Sequence, residues 1–200
     1  MARDRASRPE AKALRLFVAI EIPQAARALA EDAFAPLREL FPKARWVPGE
    51  NLHVTLKFLG WTYPRLTDWV RAQVGAIADE RSPLETRLAG VGAFPSSARA
   101  RVLWVGLEDL RGQMAEIAQA LDAGLSREFR PENRAFRPHL TLARSDPPLK
   151  LPADFETTVL ESEPFPVERL VLFRSHLQRP APRYERVAEF PLRDRPGAGA

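Results

Sequence analysis

A four-residue pattern occurs twice in this chain, His53-Val54-Thr55-Leu56 and His139-Leu140-Thr141-Leu142, and each copy reads as part of a β-strand. Side chains two apart on a strand share a face. His53 therefore projects with Thr55, and His139 with Thr141, while Val54, Leu56, Leu140 and Leu142 point back into a core. The chain has three histidines, seven threonines and 25 leucines in 200 residues. Chance would give one histidine this context about 0.004 of the time, and two of three on the order of one in ten thousand. One copy would carry little weight; two are informative. If the strands are neighbours, both imidazole–hydroxyl pairs converge on one ligand.

The rest of the chain alternates strand and helix signals. Residues 14–21 read as a buried strand stopped by Pro23. Residues 24–40 place Ala26, Leu29, Ala30, Ala33, Leu37 and Leu40 at helical spacing, with Pro36 expected to bend or shorten the helix. A strand over 52–60 and a helix over 64–79, opened by Pro64, come next. Residues 84–94 and 101–108 predict two strands of a hairpin around Pro95-Ser96-Ser97. Residues 109–129 predict a helix with Leu110, Met114, Ile117, Leu121 and Leu125 on one stripe. A short strand over 139–144 is followed by a proline-rich loop, 145–152, and strands near 155–161, 167–175 and 184–191. Mixed hairpins and crossovers predict an α+β fold with largely antiparallel sheets.

Composition excludes several classes. No apolar run approaches the ~20 residues of a membrane-spanning helix, and the charged first residues do not read as a secretory signal. A cytoplasmic protein without membrane association is the expectation. The chain has no cysteine, which removes disulfides, thiolate catalysis and cysteine-bound zinc. Net charge is +4. Residues 1–12 hold a surplus of two and 191–200 a surplus of one, so the body is close to neutral. A long electrostatic track for duplex nucleic acid is therefore not expected. Residues 1–12 are expected to form a disordered basic tail, 13–192 a single domain and 193–200 a flexible tail.

Two imidazoles facing one phosphorus atom can divide the proton work, the neutral one taking a proton from water and the charged one protonating the leaving oxygen. Threonine hydroxyls can hold non-bridging oxygens and keep the group in line. A cyclic phosphodiester suits such a site because its leaving alkoxide stays tethered and needs only a proton. No metal, cofactor or nucleophilic side chain is needed.

At this point the chain resembles the two-histidine phosphoesterases, and within them the bacterial and archaeal RNA 2′,3′-cyclic phosphodiesterases once called 2′-5′ RNA ligases. Residues 15–20 (RLFVAI), 51–60 (NLHVTLKFLG), 101–106 (RVLWVG), 138–144 (PHLTLAR) and 170–175 (LVLFRS) look like the family's blocks in the family's order, over about 14–192. The resemblance implies a bilobal fold of two antiparallel sheets with pseudo-twofold symmetry about a central cleft and helices outside. It implies hydrolysis of a terminal 2′,3′-cyclic phosphate to a 2′-phosphate, with His53 as proton donor to O3′ and His139 as acceptor from water. Weak, reversible 2′-5′ ligation is a further family trait. The implied partner is RNA with cyclic phosphate ends, tRNA fragments among the candidates, met by a monomer.

Thr55 and Thr141 are candidate phosphate contacts, against the plain reading of threonine as a β-former. Arg144 joins them through the resemblance, although its odd offset from His139 requires a bulge. Phe17, Trp46 and Tyr184 are candidate base-stacking rings, against core packing. Lys57, Arg101 and Arg137 read as rim charges and His176 as a packing or capping residue. Competing functions are a sister activity on small cyclic nucleotides or ADP-ribose derivatives, and a non-catalytic RNA-binding module. A metallohydrolase is disfavoured, since two of the three histidines lie 86 positions apart.

Overall fold

A computed structural model describes residues 12–179 and 181–193. The expected tails, 1–12 and 193–200, fall almost wholly outside the described residues. Among the described residues, ten strands and three α-helices form an α+β fold: β1 Leu14–Glu21, α1 Gln24–Leu40, β2 Arg45–Trp46, β3 His53–Thr62, α2 Thr67–Asp79, β4 Leu84–Thr86, β5 Leu88–Phe94, β6 Ala100–Leu107, α3 Gln113–Leu125, β7 His139–Leu149, β8 Phe165–Val167, β9 Arg169–His176 and β10 Arg183–Pro191.

The main sheet runs β10-β9-β1-β3-β7-β6-β5, with β2 also on β7, and every pairing is antiparallel. The two lobes expected from the sequence are halves of this sheet, and they meet between β3 and β7 through Val54 and Leu140 alone. That junction sets the two tetrads side by side. A separate two-stranded sheet joins β4 to β8.

The sheet has two unlike faces. Ala26, Ala30 and Phe34 of α1, Val70 and Val74 of α2, and Met114, Ile117, Leu121 and Leu125 of α3 pack in one cluster with Leu16, Val18, Val54, Leu56, Leu140 and Leu142. The opposite face carries a second, smaller cluster of Phe17, Ala19, Val171 and Phe173, with Tyr184 against it. Helices therefore cover one side and leave the histidine-bearing side free.

Several expectations change in detail. Pro36 lies inside α1 without ending it; it falls in the last turns, where one lost hydrogen bond is tolerated. The buried stripe of α1 is Ala26, Ala30 and Phe34, whereas Leu29 and Leu40 are exposed. Residues 84–94 split at Arg87, because β4 pairs β8 while β5 pairs β6. α3 begins only at Gln113: the Asp109 carboxylate accepts from the backbone N–H of Met114 and Ala115, and Gly112 takes a left-handed conformation at φ 69°. Leu110 is left 89% exposed. Strand β7 continues past the expected loop start to Leu149, with residues 145–148 looped out opposite Arg101. Residues 155–161 supply a 3₁₀ turn and a single bridge from Glu161 to Ala89 in place of a strand. Among the described residues, no helix is long and apolar enough to cross a membrane.

Candidate functional site

Both tetrads contain a β-bulge at the same internal position. In β3, Thr55 pairs with Ala19 and Lys57 with Val18, so Leu56 is the extra residue. In β7, Thr141 pairs with Trp104 and Ala143 with Leu103, so Leu142 is extra. A bulge puts two consecutive residues on one side and inverts the alternation beyond it. Leu56 and Lys57 are accordingly both buried, as are Leu142 and Ala143. The next residues, Phe58 and Arg144, return to the face that carries the histidines. The odd offset of Arg144 from His139 is thereby resolved, and Phe58 is its counterpart in the other tetrad.

Each imidazole is anchored in the same way. His53 Nδ1 donates to the carbonyl of Asn51 at 2.7 Å, and His139 Nδ1 to the carbonyl of Arg137 at 2.6 Å. A ring nitrogen facing a carbonyl must carry the proton, so Nε2 of each neutral ring is left as the basic atom. His53 Nε2 lies 3.0 Å from Thr55 Oγ1, and the hydroxyl donates to it while the ring is neutral. His139 Nε2 has no hydrogen-bond partner among the described residues.

Aromatic rings back both histidines. Phe17 stacks on His53 at 4.8 Å and Tyr184 meets it edge-on at 5.2 Å, with Phe173 behind. On the other side, Phe94 and Trp104 stand edge-on to His139 at 5.4 and 6.3 Å. Trp104 lies across Gly92, where a Cβ would occupy the indole's own space, so only glycine allows that placement.

Burial dominates the electrostatics. It pushes the His53 pKa down to about 4, against the raising effect of the Asn51 carbonyl, and the charges of Arg144 and His139 push the same way as burial. The His139 pKa is lowered by burial and, less, by Arg144. Burial also lowers the pKa of Arg144, opposed by Tyr184 and reinforced by Arg45 and Arg15; Tyr184 is raised by burial against the pull of Arg15 and Arg144. Arg15, Arg45 and Arg144 thus form a guanidinium group beside the imidazoles with no carboxylate partner among the described residues. Arg15 donates to Ser175 and lies over Phe58. Such a group favours an anion.

The candidates separate accordingly. His53, Thr55, His139, Thr141, Arg144 and Tyr184 share one face. Phe17 is 1% exposed, so it supports His53 and has no free surface for a base. Trp46 pairs with Ala143 on the core side, sits against Phe34 and donates to the Phe41 carbonyl; it is a packing residue. Its neighbour Arg45, opposite Arg144, holds the site-facing position instead. Lys57 is a buried ion-pair partner of Asp122 instead of a rim charge, redirected by the bulge at Leu56. His176 pairs with Glu185 at 2.6 Å and Arg101 with Asp146 at 2.7 Å. Asn51, Phe58, Phe94, Trp104, Phe173, Arg15 and Arg45 escaped the sequence reading because each depends on cross-strand register. Among the described residues, no group of three or more His, Asp or Glu is placed to hold a metal ion.

Known proteins resemble this chain over most of its length. An RNA 2′,3′-cyclic phosphodiesterase of Thermus thermophilus is 34% identical over 194 residues, 92% of this chain and 93% of the relative. A protein of the same name from Geobacillus stearothermophilus is 29% identical over 181 residues, 88% of this chain, and the chain spans 56% of that relative's length. The crystal structure of a Thermus thermophilus protein superposes with a TM-score of 0.72 at 30% identity, covering 90% of this chain and 98% of the other. The apo form of E. coli LigT gives 0.73 at 25% identity, covering 92% and 100%. The model of the 2′-5′ RNA ligase superfamily matches residues 23–179, and the chain belongs to that superfamily.

Proposed function

We propose that this protein hydrolyses the terminal 2′,3′-cyclic phosphate of RNA to a 2′-phosphate by acid–base catalysis between His53 and His139, without a metal. The observation that carries the reading is the matched anchoring of the two imidazoles. Each has Nδ1 committed to a carbonyl two residues upstream, which leaves Nε2 as the exchangeable position. Relatives named RNA 2′,3′-cyclic phosphodiesterases support the choice of substrate.

Arg144, with Thr141 beside it, receives the phosphate. The bound anion offsets the unfavourable burial of a charged imidazole and lets His53 take up a proton at Nε2. Thr55, no longer donating to that nitrogen, turns its hydroxyl to a non-bridging oxygen. His139 Nε2 accepts a proton from water as the water oxygen bonds to phosphorus. The P–O3′ bond breaks, O3′ takes the proton from His53, and the 2′-phosphate leaves. The two rings then exchange protons with solvent to restore the starting state. With a 5′-hydroxyl in place of water as the nucleophile, the same steps join RNA ends through a 2′-5′ linkage.

Product analysis on a short RNA ending in a cyclic phosphate, with chelator present, tests the reading. A 2′-phosphate should form, and His53→Ala and His139→Ala should each abolish it. A 3′-phosphate would show that the wrong oxygen has been assigned as leaving group, and inhibition by chelator would refute the metal-free route.

A further inference from the structure

The acid–base assignment gives the substrate a direction. In-line attack places water opposite the leaving O3′, and O3′ belongs to the terminal ribose. The ribose, its base and all RNA upstream therefore lie on the side of the proton donor, His53. A cavity of about 710 Å³ opens on that side, and its walls include His53, Phe173 and Tyr184 but not His139. That volume is in the range of pockets that enclose a drug-sized ligand, about 300–1,000 Å³, which is room for more than one phosphoryl group.

The cavity wall also contains Arg27, near the start of α1. Its Nε donates to the Ile22 carbonyl, which fixes the plane of the guanidinium. Its two terminal nitrogens have no carboxylate or other partner among the described residues. Acid on the cavity wall is partly neutralised: Arg186 donates to Glu21 through both Nε and Nη2, at 3.0 and 2.7 Å, and Glu50 is the remaining carboxylate. The rims are tied by Asn51 Nδ2, which donates to the Pro182 carbonyl at 2.8 Å. Asn51 is also the residue whose carbonyl holds His53, so one residue links the donor imidazole to the cavity wall.

We infer that this cavity is the subsite for the upstream end of the RNA, with the Tyr184 ring against the terminal nucleoside and the pre-set fork of Arg27 on the phosphodiester 5′ to it. The inference rests on the proposed hydrolysis and on His53 as donor. Planar, fixed guanidinium groups suit phosphate oxygens, and single-stranded RNA is commonly held by a stacked ring and a backbone contact.

Steady-state kinetics of the wild type, Arg27→Gln and Arg27→Lys on 2′,3′-cyclic AMP and on an adenosine dinucleotide ending in a cyclic phosphate test the inference. The wild type should favour the dinucleotide in kcat/KM. Arg27→Gln should lower the dinucleotide value roughly tenfold while 2′,3′-cyclic AMP stays within about twofold, and Arg27→Lys should recover part of the loss. Absence of a dinucleotide advantage, or an equal loss on both substrates, overturns the subsite. An advantage that survives Arg27→Gln and disappears in Trp104→Ala places the upstream RNA beside His139 and overturns it as well. Wild-type inactivity on both substrates removes the hydrolysis reading itself, and the subsite with it.

Discussion

His53 is a buried base whose pKa falls from an ordinary 6.5 to about 4, and this couples its protonation to folding. Between these values the unfolded chain binds a proton that the folded protein refuses, so stability falls as pH drops from about 6.5 to about 4. Above that window the ring is neutral in both states and the contribution is fully present. Below it both states are protonated and nothing further is lost from this group. At 1.36 kcal/mol per pH unit, the fall from 6.5 to about 4 corresponds to about 3 kcal/mol, a sizeable share of the ~5–15 kcal/mol typical of a folded domain. His139 shifts in the same direction, so the two must be separated. His53→Asn does so, because the amide can still donate to the Asn51 carbonyl yet does not titrate. Urea denaturation of wild type and variant at pH 4, 5, 6 and 7, in buffer without phosphate, should show the wild type losing about 3 kcal/mol more than the variant across the range. NMR titration of the imidazole gives the midpoint independently. A stability difference that is flat with pH, or a His53 midpoint above pH 6, would refute the argument that burial governs this ring.

Other outcomes follow from the same contacts. Because a bound phosphate anion favours the charged imidazole, the bell-shaped profile of kcat should lie at higher pH than that of kcat/KM, which reports the free protein; coincident profiles would show that substrate does not raise the pKa of its donor. Lys57→Met should destabilise by about 3 kcal/mol in thermal or urea unfolding, since it leaves Asp122 without its cation in a site where the lysine side chain is 0% exposed, and adding Asp122→Leu should recover much of that. Gly92→Ala should cost about 1–3 kcal/mol by displacing Trp104 and should lower turnover through His139; unchanged stability and rate would mean the indole finds another place at no cost.

Legibility from sequence depended on how local each feature is. The spans of β1 and α1 follow from one apolar run and one periodic stretch, and both are found where the pattern places them. The two histidines and two threonines were readable because alternation holds within a tetrad. Beyond it alternation fails, since the bulges at Leu56 and Leu142 reverse the facing of the residues that follow, until a second irregularity at Leu59 in β3 and at 145–148 in β7. Lys57 and Ala143 turn inward and Phe58 and Arg144 turn outward, against a period of two. Rings contributed by other strands, such as Phe173 to His53 or Trp104 to His139, are set by register between segments distant in sequence. Trp46 and Arg45 show the same limit at its smallest. A two-residue strand exposes one side chain to each face, and only its pairing with Ala143 and Arg144 decides which.

The bulges also account for what makes the two halves chemically unequal. Both tetrads place an imidazole, a hydroxyl and then one further side chain on the open face, and the matched position of the extra leucine makes that third place equivalent. One half fills it with Phe58 and the other with Arg144. The aromatic half wraps His53 in Phe17, Phe173 and Tyr184 and commits its Nε2 to Thr55; the cationic half leaves His139 Nε2 open. A ring enclosed by apolar surface takes up a proton only when an anion compensates it, which suits a donor that must be charged only once substrate is bound. A ring with an unoccupied nitrogen at the edge of the cleft suits an acceptor that must meet water. Near-symmetry supplies two similar imidazoles, and phenylalanine against arginine at the third place is one of several differences between their surroundings. Adding Phe58→Arg to Arg144→Phe should therefore fail to restore activity, because position 58 lies against Phe17 and Arg15, whereas the charge of Arg144 reaches both imidazoles. Kinetics on a cyclic phosphate substrate would settle the point, and a double variant as active as the wild type would show that the place of the cation does not matter.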